Sequence, residues 1–165
     1  MFLKIKNRHR LKLKEIKAIQ NELQNTFNKV FFNEKSSVET GDFEGISIIF
    51  IDSEPSFIFH DNKIVLTLYG INKYKPKQKF VIVDMGAVKY VASGADVMAP
   101  GIVDADKNIS EDDQVWISDE KHRKPLAIGI AIMSGKQMIN EKKGKAIQTI
   151  HYVGDMLWNF SAKSL

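Results

Sequence analysis

The chain has 165 residues, of which 44% are hydrophobic and 27% charged, the proportions of an ordinary folded protein rather than a disordered one. It contains no cysteine, which excludes a disulfide framework, a thiolate zinc site and a cysteine nucleophile together. No apolar run approaches the ~18 residues that a membrane span needs. The first twenty residues lack the apolar centre of a secretory signal. The expectation is a cytoplasmic protein with no membrane partner.

The formal net charge is +4, but it is unevenly spread. The first twenty residues hold seven Lys/Arg against the single acid Glu15, whereas residues 76–165 hold twelve against eleven. A concentrated basic end on a nearly balanced body predicts contact with a polyanion, through Lys4, Lys6, Arg8, Arg10, Lys12 and Lys14. A solvated helix face is the plainer alternative.

Leu13, Ile16, Leu23, Phe27 and Val30 recur at helical spacing, so 12–30 reads as one amphipathic helix with Lys14, Lys17 and Asn21 facing solvent. Residues 33–45 are polar, with Gly41 and Gly45 bounding a turn. Strand-like runs follow at 46–51, 57–59 and 64–69, separated by Pro55 and by Asp61-Asn62. One helix and a short meander predict an α+β N-terminal domain over 1–75. The polar segment 70–78 is the expected boundary.

Residues 80–83 form an apolar strand, after which Asp84 can cap a helix that puts Ala87, Val88 and Val91 on one face. Gly94 falls where a left-handed helix end belongs. Further strands are expected at 96–99, 114–117, 126–133 and 145–151. Five short strands, one small helix and glycines at 101, 129, 135 and 144 predict a small mixed β-barrel over 76–165.

Signals for catalysis are missing. Gly135-Lys136 and Gly144-Lys145 lack the preceding glycine and the following Ser/Thr of a phosphate-binding loop, and neither GxGxxG nor GxSxG occurs. His9, His60, His122 and His151 are scattered, which argues against a zinc site. His151, among aromatics, reads as structural. Asp104, Asp106, Glu111, Asp112 and Asp113 read as solvated turns rather than a magnesium site. No enzyme, metal or cofactor is expected.

The stretch VDMGAVKYVASGADVMAPGI at 83–102 resembles the opening of a PUA domain, the RNA-binding module named for pseudouridine synthase and archaeosine transglycosylase. Gln114-Val115-Trp116-Ile117, Ala127-Ile128-Gly129-Ile130 and Gly144-Lys145-Ala146-Ile147 resemble its later strands. Together with Ile150-His151-Tyr152 and the run 155–158, the chain is similar to the malignant T-cell-amplified sequence family, especially its archaeal members, in which a smaller α+β domain precedes the PUA domain. The resemblance implies RNA as ligand, a tRNA acceptor end or ribosomal RNA, in translation initiation or ribosome recycling. It also implies the small ribosomal subunit and a protein with an initiation-factor-one-like (SUI1) domain as partners. The alternative is a trans-acting subunit that delivers tRNA to a modification enzyme.

The residues suit that chemistry. Lys89 can pair with a phosphate, Tyr90 can stack on an unpaired base or serve the core, and Ser93 can bond a 2′-hydroxyl. Gly94 and Gly101 could let a sugar-phosphate backbone approach closely, or could serve only capping and closure. Exposed amides around Gly94 to Asp96 could donate to a phosphate. The resemblance places Lys89, Tyr90, Ser93, Gly94, Ala95, Met98, Pro100, Gly101 and Lys145 on the RNA face.

Overall fold

The computed structural model describes residues 4–163, with side chains as far as Ser161. Two compact units divide the chain: Met1–Lys75 with Phe160–Leu165, and Pro76–Asn159.

The first unit is a five-stranded antiparallel meander in the order β1-β2-β3-β4-β5, with two helices. The basic segment forms an edge strand, β1 (Lys6–Arg10), every residue of which is exposed. Helix α1 (Leu13–Phe27) buries Ile19, Leu23 and Phe27, one residue per turn. The two ends of the expected stripe are not part of it: Leu13 is 62% and Val30 72% exposed. The helix stops because Asn28 takes the left-handed conformation (φ 49°) and donates its N–H to the Gln24 carbonyl. Asn tolerates that region better than most residues.

Residues 38–43 are not a turn but a strand, β2 (Val38–Phe43), paired to β1 and to β3 (Ile46–Ile51). Val38, Gly41 and Phe43 are buried, while Glu39 and Asp42 meet the polar side chains of β1. Gly41 has no room for a side chain because Ile5 and Arg8 press against its Cα. Strand β4 (Glu54–His60) pairs β3 and β5 (Lys63–Leu66). The apolar run expected as strand to residue 69 ends at Leu66 instead. Fully buried Thr67 donates its hydroxyl to the Pro55 carbonyl (2.7 Å) and accepts from the Gly70 amide (2.9 Å), opening helix α2 (Leu68–Tyr74). Phe31, Phe57 and Tyr74 form an aromatic cluster, with Phe57 and Tyr74 stacked at 5.9 Å.

The second unit is a curled half-barrel of six strands in the order β7-β11-β10-β9-β6-β8. Its strands are β6 (Phe80–Val83), β7 (Val97–Met98), β8 (Ile102–Ala105), β9 (Gln114–Asp119), β10 (Pro125–Ala131) and β11 (Lys145–Tyr152). Only β6 and β9 run parallel; the other pairs are antiparallel. Val81, Val83, Ile102, Ile117, Ala127 and Ile147 fill the interior. Asp84 caps helix α3 (Met85–Val91), accepting from the Ala87 amide at 2.8 Å.

Besides a 3-10 turn at Ala99–Gly101, three elements after residue 76 lie outside the expected set. Strand β8 joins β6, so the sheet has six strands rather than five. Helix α4 (Gly135–Asn140) replaces an ordinary turn because Ser134 and Gln137 close a reciprocal capping box: Ser134 Oγ accepts from the Gln137 amide (3.2 Å), and Gln137 Oε1 from the Ser134 amide (2.8 Å). Helix α5 (Met156–Lys163) starts where Asp155 Oδ1 accepts from the Trp158 amide (2.8 Å).

Candidate nucleic-acid interface

Helix α3 and strand β7 enclose a shallow groove of about 330 Å³ on the second unit. Ala87, Tyr90, Val91, Ala95, Met98 and Gly101 line it, so its surface is mainly apolar. Two large side chains stand open to solvent at its rim: Tyr90 is 58% and Met98 50% exposed. Tyr90 therefore does not serve the core. The Lys89 ammonium lies 5.1 Å from the Tyr90 ring centroid, which places a cation beside an accessible aromatic face. Ala95 and Pro100 are also exposed.

The backbone here is engaged with itself. The amides of Gly94 and Ala95 donate to the Val91 and Tyr90 carbonyls (both 3.0 Å), and the Ser93 hydroxyl donates to the Tyr90 carbonyl (2.9 Å). These amides are accordingly not donors for a phosphate; the free carbonyls at the helix end have taken them. The space at the glycines is also occupied. Gly94, with φ +91°, faces the Tyr152 ring, and Gly101 faces the Ala87 methyl. Both absences of a side chain accommodate protein.

The charge at the groove is nearly balanced at one point. Asp96 lies 2.9 Å from Lys145 Nζ and accepts from the Thr149 amide (3.0 Å), while the Thr149 hydroxyl donates to the Ala95 carbonyl. The hydrogen bond from Lys145, then that from Thr149, holds the Asp96 carboxyl below its ordinary range against a smaller opposing effect of burial. Asp96 thus fixes the strand edge and neutralises the lysine nearest it.

The family model of a PUA domain matches residues 79–153, and that of a domain of unknown function (DUF1947) matches residues 7–74. Similar proteins include an uncharacterized protein of Methanocaldococcus jannaschii, 46% identical over 96% of this chain and 99% of the relative. Malignant T-cell-amplified sequence 1 of Rattus norvegicus is 30% identical over 94% and 91%. Translation machinery-associated protein 20 of Saccharomyces cerevisiae is 32% identical over 72% and 68%. Among solved structures, a hypothetical protein of Pyrococcus horikoshii superposes with a TM-score of 0.84 at 38% identity, covering 93% of this chain and 99% of that one. The chain belongs to the PUA-domain family that includes malignant T-cell-amplified sequence 1.

Of the expected residues, Tyr90, Ala95, Met98 and Gly101 line the groove, with Lys89 beside the Tyr90 ring and Lys145 beside Met98 in the β7–β11 ladder; Ser93 and Pro100 are exposed but do not line it. Sequence reasoning misses Lys142 and Lys143. Both are exposed, and their loop is pinned to the same rim by the bond from the Ala99 amide to the Gly144 carbonyl (2.8 Å). The signal that could have found them is the run Lys142-Lys143-Gly144-Lys145 just before a strand on that edge.

The N-terminal basic residues belong to the other unit. Arg8 is committed to the fold there: its Nε donates to Glu39 (3.1 Å) and its guanidinium lies 4.3 Å from the Phe50 ring centroid. Among the described residues, Lys4, Lys6, Arg10, Lys12 and Lys14 are exposed and make no ion pair. The Lys12 backbone amide donates to Glu15 (3.1 Å), which secures the start of α1 and leaves the Lys12 side chain outside.

His151 and the 104–113 acidic cluster lie outside the α3–β7 groove, and among the described residues His151 Nε2 is buried with no hydrogen-bond partner. His151 is 1% exposed, with Nδ1 2.7 Å from Asp155 Oδ2. Asp106 and Asp113 hold backbone amides and Lys79 within the 106–113 turn.

Proposed function

We propose that this protein is a non-catalytic RNA-binding adaptor of the translation apparatus. The observation that carries the reading is the open, mainly apolar groove between α3 and β7, with Tyr90 exposed at its rim and Lys89 beside it. An exposed aromatic face offers about 1–3 kcal/mol per stacked base, whatever the base. Cations beside the ring supply the sequence-independent attraction to phosphate. A mainly apolar groove of about 330 Å³ suits an unpaired base or strand end rather than a duplex, whose base faces are already stacked on one another.

In this reading Lys89, Lys142 and Lys143 contact the phosphates that flank the stacked base, and Ser93 accepts a hydrogen bond from a 2′-hydroxyl through its free lone pairs. Lys145 contributes less, because Asp96 holds it. The basic edge strand and helix start of the first unit add attraction to a larger RNA. The similarity to a translation machinery-associated protein supports a role in translation; within that role the reading takes a tRNA acceptor end or small-subunit ribosomal RNA as the ligand, with the small ribosomal subunit and a SUI1-domain protein as partners.

Crosslinking in cells, followed by sequencing of the attached RNA, tests the proposal. Enrichment of tRNA 3′ ends or of one small-subunit site is the expected outcome. Crosslinks spread evenly over abundant RNAs, or none at residues 89–101, would contradict it.

A further inference from the structure

The far end of the second unit's sheet carries another pocket, of about 300 Å³, on the face turned away from the barrel interior. Strands β6 and β9 run parallel with Phe80 opposite Trp116 and Ile82 opposite Ser118, while β8 sets Asp104 opposite Ile82. Side chains alternate along a strand, so these five share one face, and Val81 and Ile117 between them fill the interior. The pocket shares no residue with the α3–β7 groove, and β7 lies at the opposite edge of the sheet from β8.

The lining is mainly apolar, with one buried exception. Pro76, Phe80, Ile82 and Trp116 supply the walls, and the Trp116 ring is pinned where its Nε1–H donates to the Gln78 carbonyl (2.8 Å). Ser118 lines the pocket too; it is 1% exposed, and among the described residues its hydroxyl has no hydrogen-bond partner. A hydroxyl left unpaired among apolar groups costs free energy that a polar atom of a ligand restores. Two cations complete the lining. Lys77 and Arg123 are exposed and make no ion pair among the described residues. Arg123 is also held in place: its φ is 55°, its amide donates to the Asp119 carbonyl (3.1 Å) and its Nε to the Glu120 carbonyl (3.4 Å). Asp104, the carboxylate in the lining, has Oδ1 engaged by the Ala105 amide (2.9 Å).

We infer that this pocket docks an acidic segment of a partner protein, with one tyrosine as its anchor. The inference goes beyond the RNA-binding reading and does not depend on it. The tyrosine ring packs against Phe80, Ile82 and Trp116, and its hydroxyl pairs with Ser118, since a buried phenol needs a partner. Carboxylates on either side of the anchor meet Lys77 and Arg123, and the exposed Lys121 and Lys124 of the same hairpin extend the attraction. Asp104 accepts a backbone amide of the segment. An unpaired base suits this pocket less well. Tyr90 stands out at the rim of its groove, so a base stacked there keeps its polar edge in water. Phe80 and Trp116 are half-buried walls, and a base between them would bury that edge against Pro76 and Ile82.

Fluorescence anisotropy of the full chain with a labelled peptide, Glu-Asp-Glu-Tyr-Glu-Asp-Glu, tests this beside the same peptide with Phe or Ala at its centre. Affinity should fall in the order Tyr, Phe, Ala, and should fall further as salt rises. Lys77→Glu/Arg123→Glu reverses two exposed charges, so the fold is kept and affinity should drop on the order of tenfold. Ser118→Ala removes a hydroxyl that bonds nothing within the described protein, so thermal unfolding should be unchanged. Its affinity for the Tyr peptide should drop severalfold while that for the Phe peptide stays the same.

No saturable binding of the Tyr peptide would overturn the inference, and so would equal affinity for the Tyr and Ala peptides. Equal peptide affinity of the unaltered protein and Lys77→Glu/Arg123→Glu would do the same. Any Ser118→Ala result in which the Tyr and Phe peptides respond alike would remove the tyrosine anchor. A uridine dodecamer supplies the remaining arm: if Ser118→Ala weakens its binding and spares the peptide's, the pocket belongs to a base and not to a protein.

Discussion

Gly94 and Tyr152 stand so close that a Cβ added to the glycine would sit 2.5 Å from Cε1 of the tyrosine ring. The helix α3 that carries the groove is therefore set against the end of β11 by a contact that only glycine permits, at a residue whose φ of +91° other side chains resist. Gly94→Ala combines overpacking with left-handed strain and should destabilise the protein by about 1–3 kcal/mol. Urea denaturation reads this directly. Adding Tyr152→Ala should recover part of the loss, and strict additivity of the two would show that the ring is not the obstacle.

Asp96 restrains Lys145, and releasing it should strengthen RNA binding. Asp96→Asn is expected to raise RNA affinity severalfold and to steepen the salt slope by about 0.9 through one more available cation. The same pair sets a small pH dependence. The Asp96 carboxyl is lowered by Lys145 and the Thr149 amide, so its contribution to stability is present above the ordinary carboxylate value and is lost as pH falls through the lowered one. Half-exposed as it is, the pair should contribute under about 1 kcal/mol.

A larger acid effect belongs to Asp155. Burial raises its pKa, but the hydrogen bond and charge of His151, with the amides of Trp158 and Tyr152, outweigh burial and hold it below the usual range. The stabilisation is complete above the unfolded carboxylate value, about 3.9, and disappears as pH falls through the folded one. Asp155→Asn should cost about 1–3 kcal/mol at neutral pH and flatten the acid limb of stability against pH. An acid limb identical to wild type would contradict this account of the β11–α5 junction.

The N-terminal cations should act as a group and Arg8 should not. Replacing Lys4, Lys6, Arg10, Lys12 and Lys14 by Gln should reduce the salt slope for a large structured RNA by up to about 4.5, at 0.9 per phosphate. Arg8→Gln should leave the slope nearly unchanged and lower stability, since it loses Glu39 and the Phe50 ring. Titration by fluorescence anisotropy at several salt concentrations separates the two.

The PUA unit is easier to read from sequence than the unit before it, for physical reasons. Apolar strands such as Phe80–Val83 and the Asp84 cap declare themselves locally. Strand β2 does not, because Glu39 and Asp42 find their partners on a neighbouring strand and Gly41 is small for the sake of Ile5. Helix α2 hides in a run that looks extended until Thr67 caps it. The capping box of Ser134 and Gln137 is a local signal, and it starts α4 between the strands expected at 126–133 and 145–151.

The candidate site divides in the same way. Lys89 and Tyr90 are legible because their chemistry needs only exposure, which helical spacing predicts. Gly94 and Gly101 suggest room for RNA, but which neighbour fills the space at a glycine is a tertiary fact. The amides of Gly94 and Ala95 look free in the sequence, but the helix end consumes them, through the carbonyls of Val91 and Tyr90 in the last turn of α3. Lys142 and Lys143 are held at the site by the hydrogen bond between Ala99 and Gly144, a tertiary contact of which the basic run 142–145 before a strand is the one local hint.

Equilibrium binding of an RNA with a single-stranded 3′ end to Lys89→Glu/Tyr90→Ala, beside the unaltered protein, is the most direct test of the groove. Both residues are exposed, so thermal unfolding should be unaffected while affinity falls by about ten- to a hundredfold, from one lost stack and one reversed charge. Equal affinity for the two proteins at every salt concentration would contradict the assignment of the α3–β7 groove to RNA.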